Sequence, residues 1–390
     1  MSQNTSYDTH HMPRKLGVAF LGGAWNSAVG RVHRTAIEMD QRFELRAGCF
    51  SRHPETNRSS AIQYGLDPTF ACDSLDELLD VAVRKIDAVV ILTPTDQHER
   101  QVLRCLEVGI PVICEKALAT SVQEVAAINS QLHKGKGFLA VTYNYTGYPM
   151  LRELRQMVIE GRFGRVTQMH VEMPQDGFAR VASDGSPFVP QDWRLRDGPV
   201  PTISLDLGVH LHMMLRFLTN EHPLEIVATS HTHGNFAQVV DNVSCIVNCT
   251  NDLTCNVWYS KTALGYRNGL KVRLFGEHGA AEWLQENPEY LHVTDRFGTK
   301  FVVDRASRHI SVANHVRYGR FKVGHPSGFI EAFANYYYDV ADALEGHEAG
   351  KPYSGEYVFG IDEALQGIRV LQAIADSSAS RSWVRLENVV

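Results

Sequence analysis

The chain has no run of lysine and arginine long enough to track a phosphate backbone. Its 38 basic residues are outnumbered by 44 acidic ones, a formal net charge of -6, which argues against nucleic acid as a partner, because that binding rests on neutralising phosphates. The opening stretch MSQNTSYDTHHMPRK is polar and lacks the apolar block of a secretory leader. Nowhere do roughly 20 apolar residues follow one another, as a membrane span requires. The expectation is a cytoplasmic protein with no membrane partner, residues 1–14 forming a flexible N-terminus. No C-x-x-C pair occurs, and the seven cysteines are odd in number and scattered through apolar contexts, unlike a secreted disulfide framework. They read as reduced, mostly buried thiols. The spacing of Cys245, Cys249 and Cys255 does not suit zinc, so no metal is expected. Internal repeats and low-complexity segments are absent as well.

What is present suits two domains: 390 residues, 44% of them hydrophobic, exceed what a single core usually organises. From Leu16 to about Tyr143, short apolar strands (LGVAFLG, ELRAGCF, DAVVILTP, PVICEK, FLAVTYN) alternate with helical patterns that start near Gly30, Glu55, Leu75, Asp96 and Ser121. Crossover connections of that length make a parallel sheet, so residues 15–145 are expected to form an α/β Rossmann domain. Beyond Met150 come helices near 151–160 and 205–218, then β-type segments rich in Val, Thr and aromatics, separated by Gly, Asn and Asp turns. These predict an α+β domain over 146–390 with an open, mostly antiparallel sheet covered by helices on one face. The closing segments FIEAFANYYYDVADALEG and YVFGIDEALQGIRVLQAIADSS have helical periodicity and are expected to pack back onto the first domain.

Three turns at the carboxyl edge of the first sheet are candidate ligand contacts, the edge where open α/β folds bind. LGVAFLGGAWNSAVGRVH is a strand, a glycine turn and a helix start, an arrangement that aims free N–H groups at a pyrophosphate. It either does this or merely packs strand on helix. Gly22 and Gly30 lie eight apart rather than five, so the turn Gly22, Gly23, Ala24, Trp25, Asn26 is about three residues longer than usual. After the second strand, where an acid would accept from a ribose hydroxyl, stand Ser51 and Arg52. That pair can accommodate a 2′-phosphate, or Arg52 can stack on adenine or stay solvated, so NAD and NADP both remain open. The turn TPTDQH presents Thr93, Pro94 and Thr95, with His98 closing it.

The strand PVIC ends in Glu115 and Lys116. A lysine there can bond a substrate hydroxyl, with Glu115 holding it, or the two can be an ordinary surface pair. In ISLDLGVHLHMM, Asp206 and His210 are four apart and share one face of a regular helix. A histidine oriented by a carboxylate suits the removal of a hydroxyl proton near neutral pH, though such pairs also serve as structural hydrogen bonds. The irregular stretch from Pro174 to Ser204 precedes that helix and should overhang the site. Within and near it, Tyr148, Asp176, Trp193 and Arg194 are candidate substrate contacts.

Taken together, GRVH (Gly30 to His33), TPTDQH, CEK, YNY (Tyr143 to Tyr145), D-x-G-x-H at Asp206, Gly208 and His210, and the closing FIEAFANYYYDVADAL resemble the glucose-fructose oxidoreductase and inositol dehydrogenase family (Gfo/Idh/MocA), from about Lys15 almost to the C-terminus. The resemblance implies a Rossmann domain that binds NAD or NADP, with Glu115, Lys116 and Asn144 beside the cofactor. It also implies hydride transfer on a secondary hydroxyl of a sugar, inositol or related polyol, and a homodimer or homotetramer built through the C-terminal sheet. Lys116, Asp206 and His210 fall on the family's catalytic positions, His210 as acid/base. Some relatives use tightly held NAD for transient oxidation in lyase or hydrolase-like reactions, and a non-catalytic dinucleotide sensor would keep the glycine turn alone. Three departures stand out: Ala117 where proline commonly follows Glu-Lys, the longer glycine turn, and Met213 where relatives often have Asp or Asn.

Overall fold

The computed structural model describes residues 14–351 and 355–386. Its first sheet comprises β1 (Leu16–Gly22), β2 (Phe43–Cys49), β3 (Ala88–Leu92), β4 (Val112–Glu115) and β5 (Leu139–Thr142), parallel in the order β2-β1-β3-β4-β5. Between them run α1 (Ala28–Met39), α2 (Pro54–Gln63), α3 (Leu75–Lys85), α4 (His98–Glu107) and α5 (Val122–Gly135). Helices on both faces bury β3 and β5 along their whole length, which is why these strands read as unbroken apolar runs, while β2 keeps Glu44 and Arg46 half-buried. The strand order reverses between β1 and β3, opening a crevice at their carboxyl ends. α1 begins two residues before the start expected at Gly30, because Ser27 adopts an extended conformation and its side chain accepts from Gly30 N–H.

The second half opens with α6 (Pro149–Ile159) and β6 (Val166–Pro174). A π turn over Ser204–Gly208 then leads into α7 (Val209–Thr219). β7 (Pro223–His231), β8 (Asn242–Cys249), β9 (Thr254–Ser260), β10 (Lys271–Gly276), β11 (Gly279–Leu284), β12 (Leu291–Asp295) and β13 (Lys300–Val303) follow. The chain closes with α8 (Phe329–Glu348), α9 (Ile361–Ser380) and β14 (Val384–Arg385). The nine strands form one sheet in the order β13-β12-β11-β10-β6-β9-β8-β7-β14. Every neighbouring pair is antiparallel except β6 and β9. β12 and β14 were not anticipated: β12 is mostly half-exposed, without the apolar alternation that marks its neighbours, and β14 has two residues.

The closing helices pack onto the first domain. α8 lies against α1, where Arg42 reaches Asp342 at 2.6 Å and Glu345 at 3.1 Å. Ahead of α9, Phe359 C=O accepts from Val141 N–H of β5 at 2.8 Å. One continuous apolar cluster therefore includes Phe20 of the first sheet, Tyr259 of the second and Leu371 of α9. Of the expected flexible N-terminus, residues 1–13 lie outside the described residues; Arg14 is ion-paired to Asp87 and Glu348. All seven cysteines are free thiols, six of them buried. Among the described residues, no helix is long and apolar enough to cross a membrane.

Candidate active site

A cavity of about 800 Å³ separates the carboxyl edge of the first sheet from the second domain. One side of it is formed by the start of α1, while the residues of the preceding glycine turn, Gly22 to Asn26, do not themselves line it. Gly22 and Gly23 have φ of 84° and 69°, a region open to glycine at no steric cost. A Cβ on Gly30 would stand 2.1 Å from Gly23 O, so only glycine lets α1 approach the turn this closely. Ser27, Ala28 and Val29, at the start of α1, line the cavity, where unpaired backbone N–H groups favour an anion. The additional residues of the turn bulge outward: Trp25 packs edge-on against Tyr64 at 5.2 Å, and its N–H donates to Ser60 Oγ.

Thr93, Pro94 and Thr95 form the next part of the wall. Asn144 is buried and lines the cavity, and its Nδ2 has no hydrogen-bond partner. An orphaned amide N–H facing a cleft beside a glycine turn fits the carboxamide acceptor of a nicotinamide dinucleotide. Glu115 Oε1 stands 2.9 Å from His33 Nε2, and His33 Nδ1 stands 2.6 Å from Tyr337 OH. The peptide bond between Lys116 and Ala117 is cis.

Lys116 Nζ donates to the Asp206 carbonyl at 2.7 Å and to Asp206 Oδ1 at 3.0 Å. Asp206 Oδ2 accepts from Lys261 Nζ at 2.6 Å and from Arg194 Nη1 at 2.5 Å. Burial alone would raise the Asp206 carboxyl, but the charges of Lys116, Lys261 and Arg194 outweigh it and hold the group well below the usual carboxylate range. The expectation that Asp206 orients His210 through a regular helix is corrected here, as no hydrogen bond joins them. The π turn, with its i→i+5 closure, displaces Asp206 from the face that four-residue spacing in an α-helix would give it, and three cations hold the carboxylate. His210 is buried edge-on against the Tyr145 ring, at 4.7 Å. Burial and the Lys116 charge push its pKa well below the ordinary histidine value of 6.5, and Asp206 opposes this only in part. The imidazole is therefore neutral and available as a base.

Residues 16–143 match the description "Oxidoreductase family, NAD-binding Rossmann fold", and residues 151–282 match the GFO/IDH/MocA C-terminal domain. The chain belongs to the GFO/IDH/MocA oxidoreductase family. Among GFO/IDH/MocA relatives, an uncharacterized oxidoreductase of Bacillus subtilis is 25% identical over 96% of this chain and 98% of its own. Inositol 2-dehydrogenase of Rhizobium meliloti is 26% identical over 68% of this chain and 75% of its own. A crystal structure of an inositol dehydrogenase homolog from Azotobacter vinelandii, complexed with NADH and myo-inositol, superposes with a TM-score of 0.85. It is 25% identical and covers 96% of this chain and 98% of its own. As a GFO/IDH/MocA protein, the chain carries an NAD-binding Rossmann domain joined to a mostly antiparallel C-terminal sheet.

Not every expected site residue of this GFO/IDH/MocA protein faces the cleft. Trp193 and Arg194 do: the guanidinium lies 4.3 Å from the Trp193 ring centre. Asp176 turns instead to Arg267, at 3.3 Å. Tyr148 is buried between Tyr145 and Trp283, its hydroxyl accepting from Gln285 at 3.0 Å, so it belongs to the core of the second domain. His98 is buried with its nitrogens 2.9 Å from Ala117 O and 2.8 Å from Thr93 O; it braces two rims and does not face the cavity. Ser51 and Arg52 follow β2 at some remove, Ser51 Oγ accepting from His53 N–H. Conversely, the sequence reading missed Lys261, which follows β9 directly and lines the cavity, and Tyr145, which walls His210. The sequence signal for Lys261 was only a lysine at a strand end, 55 residues from Asp206.

Proposed function

We propose that this oxidoreductase removes hydride from a secondary hydroxyl carbon of a sugar, inositol or related polyol, with His210 as the base. The observation that carries the reading is a neutral, buried histidine sharing one cavity with the Lys116 ammonium, with Asn144 and with the start of α1. A hydroxyl oxygen placed between Lys116 Nζ and His210 would give its proton to the imidazole, while the ammonium stabilises the developing negative charge. When bound, the nicotinamide supplies the hydride acceptor, so the alcohol loses one hydride and one proton and becomes a carbonyl. Asp206 fixes Lys116 by accepting from it at both its backbone and its side-chain oxygens. The GFO/IDH/MocA structure complexed with NADH and myo-inositol supports the substrate class.

The same reading takes the uncovered face of the nine-stranded sheet, where Ile246 and Phe275 are exposed, as the contact between copies in a homodimer or homotetramer.

The test is a spectrophotometric screen of the purified protein with NAD and with NADP against inositols, aldoses and sugar acids, alongside His210→Ala. The expected result is reduction of one cofactor, with kcat lowered about 10²- to 10⁴-fold in the variant. No reduction by any hydroxyl compound, despite dinucleotide binding, overturns the reading.

A further inference from the structure

Around Asp206 the charges do not cancel. One carboxylate meets three cations, Lys116, Lys261 and Arg194, all within 3.0 Å. The other charged groups of the wall, Glu115, Asp96, Asp197 and Arg196, form no ion pair with this cluster among the described residues. Glu115 is taken by His33, Asp197 accepts from Thr202 and Val240 N–H at 2.8 Å each, and Asp96 is exposed just ahead of α4.

Lys261 is the least solvated of the three cations, its side chain only 6% exposed. Its ammonium lies 5.0 Å from the Phe178 ring centre. Its backbone is pinned on both sides, with N–H donating to Asp241 O and C=O accepting from Phe178 N–H, both at 2.8 Å. Three cations around one carboxylate leave this corner of the cleft with a local excess of positive charge, which draws an anion.

We infer that the substrate carries a carboxylate, a polyhydroxy acid such as an aldonate or uronate, and that Lys261 and Arg194 bind it. This rests on the reading of the same cavity as a hydroxyl-oxidising site. A carboxylate suits the pair better than a phosphate does: Arg194, its guanidinium 4.3 Å from the Trp193 ring centre, brings a planar fork that matches a planar acceptor. The pair already converges on one carboxylate oxygen, that of Asp206. The hydroxyl end of such a substrate would then extend towards Lys116 and His210.

The test compares kcat/KM for matched compounds, glucuronate against glucose and gluconate against sorbitol, with glucose 6-phosphate as the phosphate arm, at saturating dinucleotide. The acids are expected to exceed their neutral partners about 10- to 100-fold, the range of a charge-assisted hydrogen bond. Lys261→Met should cut that preference at least tenfold, and Lys261→Arg should restore most of it. Arg194→Gln, at a more exposed position, provides the same measurement if Lys261→Met fails to fold. Neutral compounds used as well as the acids, or glucose 6-phosphate preferred to both, overturn the inference. If nothing is oxidised, the proposed activity falls, but this inference is still decided by the thermal midpoint of the NADH complex. A rise with glucuronate or gluconate, absent with glucose and sorbitol and lost in Lys261→Met, supports it; equal shifts for acids and neutral compounds overturn it.

Discussion

His33 of α1 is hydrogen-bonded through Nδ1 to the hydroxyl of Tyr337 in α8, 304 residues away, at 2.6 Å, while its Nε2 stands 2.9 Å from Glu115 at the end of β4. A single buried imidazole thus joins the first helix, the rim of the first sheet and the closing helix. Burial, with the nearby Glu115 charge, pushes the Tyr337 phenol well above its usual range, so the hydroxyl keeps its proton. Tyr337→Phe strands one ring nitrogen in the core. Such a loss costs about 1–3 kcal/mol, so thermal unfolding should begin several degrees lower. An unchanged midpoint would show that the contact carries no stability.

The approach of Gly30 to Gly23 makes a second expectation. With Gly23 O only 2.1 Å from where a Cβ would be, Gly30→Ala forces α1 away from a backbone carbonyl that has no freedom to rotate aside. Gly23 O also accepts from Tyr64 OH at 2.8 Å, so the displacement reaches α2. Dinucleotide affinity, followed by nicotinamide fluorescence, should weaken by about tenfold or more, as expected when donors that cradle a phosphate move apart. Affinity equal to that of the wild type would mean that the glycine turn does not hold the cofactor.

His212, two residues after His210, has no catalytic part in this arrangement. Both of its ring nitrogens are buried without hydrogen-bond partners, and neighbouring Gln366 gives its amide N–H to His222. Burial and the Arg216 charge hold its pKa down to about 3. An unfolded histidine takes up a proton near 6.5, so between that value and about 3 the unfolded chain binds a proton that the folded chain refuses. The sign follows: this cost is absent above pH 6.5 and grows as the pH falls, by up to roughly 1.4 kcal/mol per unit. Urea unfolding at pH 7 and pH 5 should show the decline, and His212→Leu should reduce it. Equal slopes in the two proteins would remove His212 as the cause.

Much of this was legible in the chain. The five parallel strands and their helices announce themselves because strands buried on both faces are mostly apolar, and because Gly22 ends such a run and Thr93, Lys116 and Asn144 come within two residues of the end of one. The order of elements also implied a second, mostly antiparallel sheet. The parallel pairing of β6 with β9 did not show, since strand composition carries no direction, and β12 was hidden by its partial exposure.

The site divides in the same way. The local sequence placed Lys116 at a strand end and set Asp206 near His210. Whether Asp206 would serve the histidine was decided by a π turn and by three cations arriving from Lys116, Arg194 and Lys261. Tyr148 and Asp176 resembled cleft residues by type, yet packing turned one into the core and the other to Arg267.

By itself the sequence determined which segments are strands and helices and which residue types stand at their ends, because periodicity and chain reversal are local properties. The tertiary structure decided which charges meet. Electrostatics in a buried cleft depends on distances that the sheet order and the returning C-terminal helices impose, and no spacing along the chain encodes them.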